Sequence, residues 1–303
     1  MFRIGVDLGG TKIEAIALAA DGSIPVRFRV ATPRHDYQGT LAAIASLVHR
    51  IEGQIGERAT VGMGMPGAIS PATGLVKNAN STWLNGQPLS EDLSSLLGRP
   101  VRFANDANCF ALSEASDGAA AGMPCVFGVI VGTGTGGGVV VNGQPLTGPN
   151  AIAGEWGHNG LPRPRLDEVP GPPCYCGHHG CIETFLSGPA LARDHFEATG
   201  ERLDPAEIAQ RAECGVAGAI ATFERYEDRM ARALASVINM LDPDVIVLGG
   251  GLSKIASLYE AIPPLLGSWV FSDRVDTRLV PPRWGDSSGV RGAAWLFGED
   301  EPA

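Results

Sequence analysis

The sequence predicts an α/β protein built as two lobes. Three observations point there. At 303 residues the chain exceeds what one hydrophobic core usually serves. Apolar strand-like runs alternate with helical patterns along most of its length. A strand–turn–strand unit near the N-terminus, with Gly5-Val6 entering a Gly/Thr turn, recurs about 120 residues later at Gly128-Val129.

Arg3 to Leu8 reads as a buried strand ending in the turn Gly9-Gly10-Thr11, and Ile13 to Leu18 as a second strand. Leu41, Ile44, Val48, Ile51 and Ile55 recur at spacings of three and four, which predicts a helix. Thr60 to Met65 is a strand broken by Pro66-Gly67. Val101 to Ala104 is a short strand that delivers Asn105-Asp106, and the Ala-rich segment from Asn108 to Ala121 is helical. The pattern then restarts. Val126 to Val131 is a strand ending in Gly132-Thr133-Gly134, and after Gly136-Gly137-Gly138 a further strand begins at Val139. Residues 163–173 hold five prolines or glycines and read as a loop. Phe223, Tyr226, Met230, Leu234, Ile238 and Leu241 mark a long amphipathic helix that stops at Asp242-Pro243. The strand Val245 to Leu248 follows, ending in Gly249-Gly250-Gly251.

Composition narrows the class of function. Hydrophobic residues make up 44% of the chain and charged residues 18%, with a net charge of −10, which argues against a nucleic-acid partner. No apolar run approaches the roughly 20 residues needed to span a bilayer. The start of the chain carries no signal-peptide pattern, and the expectation is a cytoplasmic protein without a membrane partner. Cys109, Cys125 and Cys214 lie scattered in apolar or helical stretches, the ordinary pattern of small buried thiols.

Each glycine turn ends a strand, where backbone N–H groups can approach phosphate oxygens with no Cβ in the way. Any of them alone could be an ordinary tight turn. None matches the P-loop pattern, and the residues after Gly132 read as strand rather than the helix a dinucleotide fingerprint requires. Asp7, at a strand end beside such a turn, is either a solvated carboxylate or a group that orients hydrated magnesium. Asn105-Asp106 is either a helix cap or the source of a proton acceptor for phosphoryl transfer to an alcohol. Cys174, Cys176 and Cys181, following Glu155-Trp156-Gly157-His158, complete a Cys3His zinc set that is closed and therefore structural. His178 and His179 compete for the fourth place. A four-residue loop that already positions two thiolates leaves them little room to fold inward.

With those residues in place, the sequence resembles the ROK family of bacterial repressors, open-reading-frame products and sugar kinases. The resemblance runs from Asp7-Leu8-Gly9-Gly10-Thr11 to Gly289-Val290-Arg291-Gly292-Ala293-Ala294. Its most specific parts are Glu155-x-Gly157-His158, the Cys-x-Cys-x4-Cys knuckle and Glu183. It implies an actin-like ATPase and ribonuclease H-like α/β fold of two lobes, with ATP and sugar meeting in the cleft. The lobes expected are 1–113, with a C-terminal helix over 290–303 packing back on it, and 114–289, which includes a zinc knuckle over 158–181. Asp7, Gly9, Gly10, Thr11, Lys12, Gly132, Thr133 and Gly134 are then expected at the ATP phosphates, and Gly249, Gly250 and Gly251 beside adenosine. Asp106 is expected as the catalytic base. Asn105, Glu155, His158 and Glu183 are expected on sugar hydroxyls, with His158 also binding zinc through its other ring nitrogen.

The expected cofactors are ATP, Mg2+ and a structural Zn2+, and the expected assembly is a homodimer. Residues 76–88 and 153–159 look most like bacterial fructokinases, so fructose is the expected acceptor. The alternatives are glucose, mannose or N-acetylglucosamine kinases of the same family. A sugar-sensing repressor is disfavoured because only six residues precede Asp7, where such proteins carry a DNA-binding helix-turn-helix. A non-catalytic sugar sensor is disfavoured by the presence of both Asp7 and Asp106.

Overall fold

The computed structural model of the protein describes residues 1–298 and 301. They form two compact units. One holds residues 1–122, 138–153 and 286–298, the other residues 123–137 and 154–285.

The first sheet has the order β3-β2-β1-β4-β7. It is built from β1 (Arg3–Leu8), β2 (Lys12–Leu18), β3 (Val26–Ala31), β4 (Thr60–Met65) and β7 (Val101–Asn105). Between β4 and β7 lies a small hairpin of β5 (Ala68–Ile69) and β6 (Val76–Lys77). Strands β1, β4 and β7 run parallel, while β2 and β3 are antiparallel to their neighbours. Helix α1 (Tyr37–Ile55) starts on an Asp36 cap, whose carboxylate accepts from the Gly39 N–H at 2.8 Å. The predicted stripe holds: Leu41, Ile44, Val48 and Ile51 are buried in one core with Ile4, Val6 and Ile13. Helices α2 (Leu89–Leu97), α3 (Asp106–Ser116) and α9 (Ser288–Ala294) complete this unit. Helix α3 stops five residues short of the expected Ala121. Gly118 lies against Glu114, whose carboxylate accepts from the Ala119 N–H and turns the chain out of the helix. Of the C-terminal helix expected over 290–303, residues 299, 300, 302 and 303 lie outside the described residues.

The second sheet has the order β10-β9-β8-β11-β12 and repeats the plan of the first. Its strands are β8 (Cys125–Val131), β9 (Thr135–Val141), β10 (Gln144–Pro145), β11 (Val245–Gly249) and β12 (Arg278–Val280). As β1 pairs parallel with β4, so β8 pairs parallel with β11, and β11 with β12. The weak internal repeat therefore has a structural counterpart. Strand β9 begins at Thr135 and not at Val139. Gly136, Gly137 and Gly138 are poor strand formers, but tertiary contact overrides that preference: a Cβ on Gly137 would lie 2.7 Å from Trp156 and one on Gly138 2.5 Å from the Ala107 carbonyl. The helices α4 (Glu183–Leu186), α5 (Gly188–Thr199), α6 (Pro205–Glu213), α7 (Ala217–Leu241) and α8 (Leu258–Leu266) belong to the second unit. Helix α7 buries Phe223, Tyr226, Met230, Leu234 and Ile238, as the periodicity predicts, and Asp242 caps it in the left-handed conformation at φ 45°. Among the described residues no helix is long and apolar enough to cross a membrane.

Helix α9 lies backbone to backbone on its neighbours. Gly5 and Gly62 are register partners on β1 and β4. A Cβ on Gly5 would sit 2.1 Å from the Val290 carbonyl oxygen, and one on Gly62 1.9 Å from that of Ala293. On the opposite side a Cβ on Gly292 would meet the Cys109 carbonyl oxygen of α3 at 1.6 Å. Gly62→Ala should therefore destabilise by about 3 kcal/mol or more, the upper range for overpacking. Gly53→Ala, exposed on α1 with nothing near its Cβ, should be neutral or stabilising by up to about 1 kcal/mol. Urea unfolding followed by tryptophan fluorescence checks both, and an unchanged midpoint for Gly62→Ala would disprove the close approach.

Candidate active site

The expected site residues fall into two groups, one in each unit. In the first unit, strand register does the gathering. Asp7 pairs with Gly64, Gly64 with Ala104 and Met65 with Asn105, so three parallel strands end together. Their carboxyl ends are the edge where open α/β sheets bind ligands. The turn after β1 is closed by the Gly9 N–H donating to the Lys12 carbonyl at 3.0 Å, and Thr32 Oγ1 donates to the Gly9 carbonyl at 2.7 Å. Thr11 and Lys12 are exposed. Asn105 caps α3, its Oδ1 accepting from the Asn108 N–H at 2.7 Å, which leaves the amide NH2 as the donor available to a ligand.

Asp106 follows as the first residue of α3, with Oδ1 accepting from the Ala107 N–H at 2.8 Å. Its side chain reaches solvent but is densely surrounded by protein, which pushes its carboxyl above the usual range, while the Ala107 bond works the other way. Burial, followed by the charge of Asp106, raises Asp7 to about 6; the pull of Lys12 and Arg29 only partly offsets this. The two carboxylates thus feel one another.

In the second unit β8 and β11 run parallel, with Ile130 opposite Gly249, so the turns 132–134 and 249–251 share an edge. Beside them opens a cavity of about 1170 Å3, lined among others by Gly132, Thr133, Gly188, Pro205, Gly251 and Lys254. That volume accommodates a nucleotide-sized ligand. Gly188 opens α5, and its N–H donates to the Gly132 carbonyl at 2.7 Å. The glycines of these turns do different things. Gly250 has φ 80°, and a Cβ there would lie 2.4 Å from the Val131 carbonyl oxygen, so it permits the turn while Gly251 faces the cavity. Gly134 faces Glu183: a Cβ there would be 2.6 Å from Glu183 Oε2.

Glu183 is accordingly tied to the turn 132–134. Its Oε2 accepts from the Thr135 N–H at 2.8 Å. The segment carrying Glu155 and His158 is fixed to the same strand end. Trp156 is buried, stands edge-on to Phe127 at 5.6 Å, and donates from Nε1 to the Gly136 carbonyl at 3.1 Å. A Cβ on Gly157 would come within 2.0 Å of the Thr135 carbonyl oxygen.

His158, Cys174, Cys176 and Cys181 each offer one donor atom, and all four atoms lie within 4.8 Å of one another. Cys174 Sγ is 3.5 Å from His158 Nδ1, and Cys176 Sγ is 3.6 Å from Cys181 Sγ. A tetrahedral zinc with bonds of about 2.3 Å to sulfur and 2.0–2.1 Å to nitrogen would separate such pairs by about 3.6–3.8 Å. The donor set is compatible with that ion. His178 reaches only to 3.9 Å from Cys176 Sγ and stands outside the cluster. Nδ1 of His158 faces the thiols, while Nε2 lies 2.9 Å from the hydroxyl of Tyr175. Burial and the charges of Glu183, Cys174 and Glu155 push that hydroxyl up to about 12.

Gly188 and Tyr175 went unnoticed in the sequence. Ser187-Gly188-Pro189 has the form of a capped helix start and could have marked Gly188, since Ser187 Oγ accepts from the Ala190 N–H. Tyr175 had no signal beyond lying between two cysteines.

The ROK family model matches residues 3–300. The chain is 41% identical over 296 residues to an N-acetyl-D-glucosamine kinase of Pectobacterium atrosepticum, covering 96% of this chain and 97% of that protein. It is 40% identical over 300 residues to that of Pasteurella multocida, covering 97% and 99%. Among solved structures, the ROK hexokinase of Thermus thermophilus superposes with a TM-score of 0.87 at 32% identity, covering 98% of this chain and 97% of that one. The ROK glucokinase of Streptomyces griseus, in complex with glucose and AMPPNP, gives 0.77 at 28% identity, covering 98% and 99%. The fold is thus the two-lobed, actin-like ATPase type expected from the sequence.

Asp7 supplies a pH-dependent test. Its carboxyl is raised in the fold, so the folded state favours the proton: stability from this group is full below about 3.8 and is lost as pH climbs through about 6. In magnesium-free protein Asp7→Asn should therefore be more stable than wild type at pH 8, by up to about 3 kcal/mol at about 1.4 kcal/mol per pKa unit. The gap should close on approaching pH 4. Thermal melts at both pH values check this; a variant less stable than wild type at pH 8 would contradict it.

Proposed function

The chain belongs to the ROK family and is a sugar kinase, and from that premise we propose that it phosphorylates N-acetyl-D-glucosamine with ATP. What supports the acceptor is whole-chain identity near 41% to N-acetyl-D-glucosamine kinases, over 296 residues. The fructose expectation rested on two short stretches, and the relatives do not support it. The alternative raised beside it is the better-supported one.

In this reading Asp106 takes the proton of the attacking sugar hydroxyl as its oxygen bonds to the γ-phosphorus, and ADP departs with the electrons of the broken P–O bond. The raised carboxyl of Asp106 suits that task, since burial strengthens its hold on the proton it accepts. Asn105, Glu155, His158 and Glu183 hold sugar hydroxyls. The turns at 9–12 and 132–134 hold phosphates, and adenosine lies beside Gly251. Magnesium, when bound with ATP, spreads the phosphate charge, and Asp7 is the carboxylate placed to orient its hydration shell. The same reading carries the homodimer expectation.

A coupled assay on N-acetylglucosamine, glucose, mannose and fructose, at matched low concentrations, tests the acceptor. N-acetylglucosamine should give the largest kcat/KM. A different best sugar removes the acceptor but leaves the kinase, and inactivity on all four removes both. Asp106→Asn should fold normally and lose about 10²- to 10⁴-fold in kcat with a smaller change in sugar KM.

The knuckle should hold about one zinc per chain, as a closed four-ligand site implies. Elemental analysis of fresh enzyme measures it. The Cys176→Ser, Cys181→Ser double variant should lose the ion and with it sugar affinity, because the metal fixes His158 and the segment leading to Glu183. Full zinc retention in that variant would exclude the assigned ligands.

A further inference from the structure

Tyr175 stands between two of the clustered cysteines, with 84% of its surface exposed. Such a side chain would normally wander, yet this one is placed. Its ring meets His158 edge-on, with centroids 5.0 Å apart and planes at 90°, and its hydroxyl lies 2.9 Å from His158 Nε2. The charges of Glu183 and Glu155 also act on it. Tyr175 is thus in direct contact with a residue assigned above to a sugar hydroxyl, although none of that assignment includes it.

Chemistry fixes the direction of the contact. His158 Nδ1 faces the thiol cluster. With a metal ion on the Nδ1 lone pair, the neutral ring carries its proton on Nε2, which can then only donate. The Tyr175 oxygen must be the acceptor. One N–H serves one good acceptor, so a sugar hydroxyl and Tyr175 cannot both have it.

We propose that Tyr175 sets sugar affinity by competition: its hydroxyl occupies His158 Nε2–H in the sugar-free protein, and an incoming sugar hydroxyl must displace it. This rests on His158 facing the sugar in the reading given above. The exposed ring makes displacement easy, since its edge-on contact with His158 and one neutral hydrogen bond are what is given up when it swings away. A neutral hydrogen bond corresponds to about two- to tenfold in affinity. Tyr175 also softens discrimination. A sugar that lacks the hydroxyl destined for His158 leaves Tyr175 in place, so Nε2–H is not stranded.

The test is Tyr175→Phe, which keeps the ring and removes the acceptor. Calorimetric titration with N-acetylglucosamine in the absence of ATP should show a Kd about two- to tenfold lower than wild type, with zinc per chain unchanged. In the assay KM should fall with it, and kcat should move less. Across monodeoxy analogues of the sugar, all should gain except the one lacking the hydroxyl that meets His158. A Kd that is unchanged or raised in Tyr175→Phe would overturn the proposal. If wild-type enzyme binds and phosphorylates none of the hexoses, the kinase reading fails instead, whatever the variant does.

Discussion

The constraint on which the second unit depends is a backbone-on-backbone contact between the start of β9 and the segment 154–157. A Cβ at Gly157 would lie 2.0 Å from the Thr135 carbonyl, and one at Gly137 2.8 Å from that of Gly154. No side chain fits between them. The contact ties Glu155 and His158 to the turn 132–134, and the Thr135 N–H binds Glu183 to the same strand end. Polar groups that would touch sugar and backbone that would touch phosphate are therefore set by one short stretch of strand. The run of glycines at 136–138, which weakens β9 as a strand, is the condition for that arrangement.

A second anchor holds the far side of the knuckle. Glu168 accepts from Arg229 Nε at 2.8 Å and from Arg232 Nη2 at 2.9 Å, both on α7. Burial opposes its ionisation, but these bonds outweigh burial and hold the carboxyl near 2. Arg229 also donates to Asp194 on α5 at 2.7 Å. Removing one partner of such a buried set strands a charge, which costs about 3–5 kcal/mol, so the set acts as a clamp whatever its net contribution to stability. The loop over 163–173 is rich in proline and glycine and holds little regular structure, only a short turn of helix at Leu166–Glu168. It is fixed at this carboxylate, by Arg232 Nη1 donating to the Arg163 carbonyl at 2.9 Å and by the Arg165–Asp228 ion pair at 3.1 Å, and the cysteine cluster follows directly after it.

How much of this was legible in the sequence depended on the range of the interaction. Elements whose apolar spacing is local, such as α1 and α7, were readable because a helix face is written at intervals of three and four. So were the glycine turns, the strand-end carboxylates and the cysteine cluster, each carried by a few adjacent residues. Strand β3 and helices α5, α6 and α8 were not read; α8 carries Pro263 and Pro264 inside it, which disguises a helix. Gly5, Gly62 and Gly292 gave no sign of their role, because a glycine that admits a helix backbone looks like any other until its partner is known. Tyr175 is the same case for a side chain: its meaning comes entirely from His158, 17 residues earlier.

The carboxylates with shifted ionisation divide by what surrounds them. Glu168 is enclosed by two arginines and held far below its ordinary value. Asp7 and Asp106 sit where parallel strands end, and burial holds both above theirs. The first arrangement stabilises the ionised form in the folded protein and fixes a loop. The second raises the affinity of both carboxylates for a proton or a cation in the ligand-free protein, which suits the roles proposed for them. A carboxylate already satisfied by arginine would have little affinity for a proton and little field left for a metal ion. At the strand ends the pull of Lys12 and Arg29 on Asp7 only partly offsets burial, so the negative charge there is stabilised best when a cation or a transferable proton arrives. On this view the cost in stability at Asp7 and the chemistry proposed for Asp106 have one physical origin, the burial of carboxylates at the carboxyl edge of the first sheet.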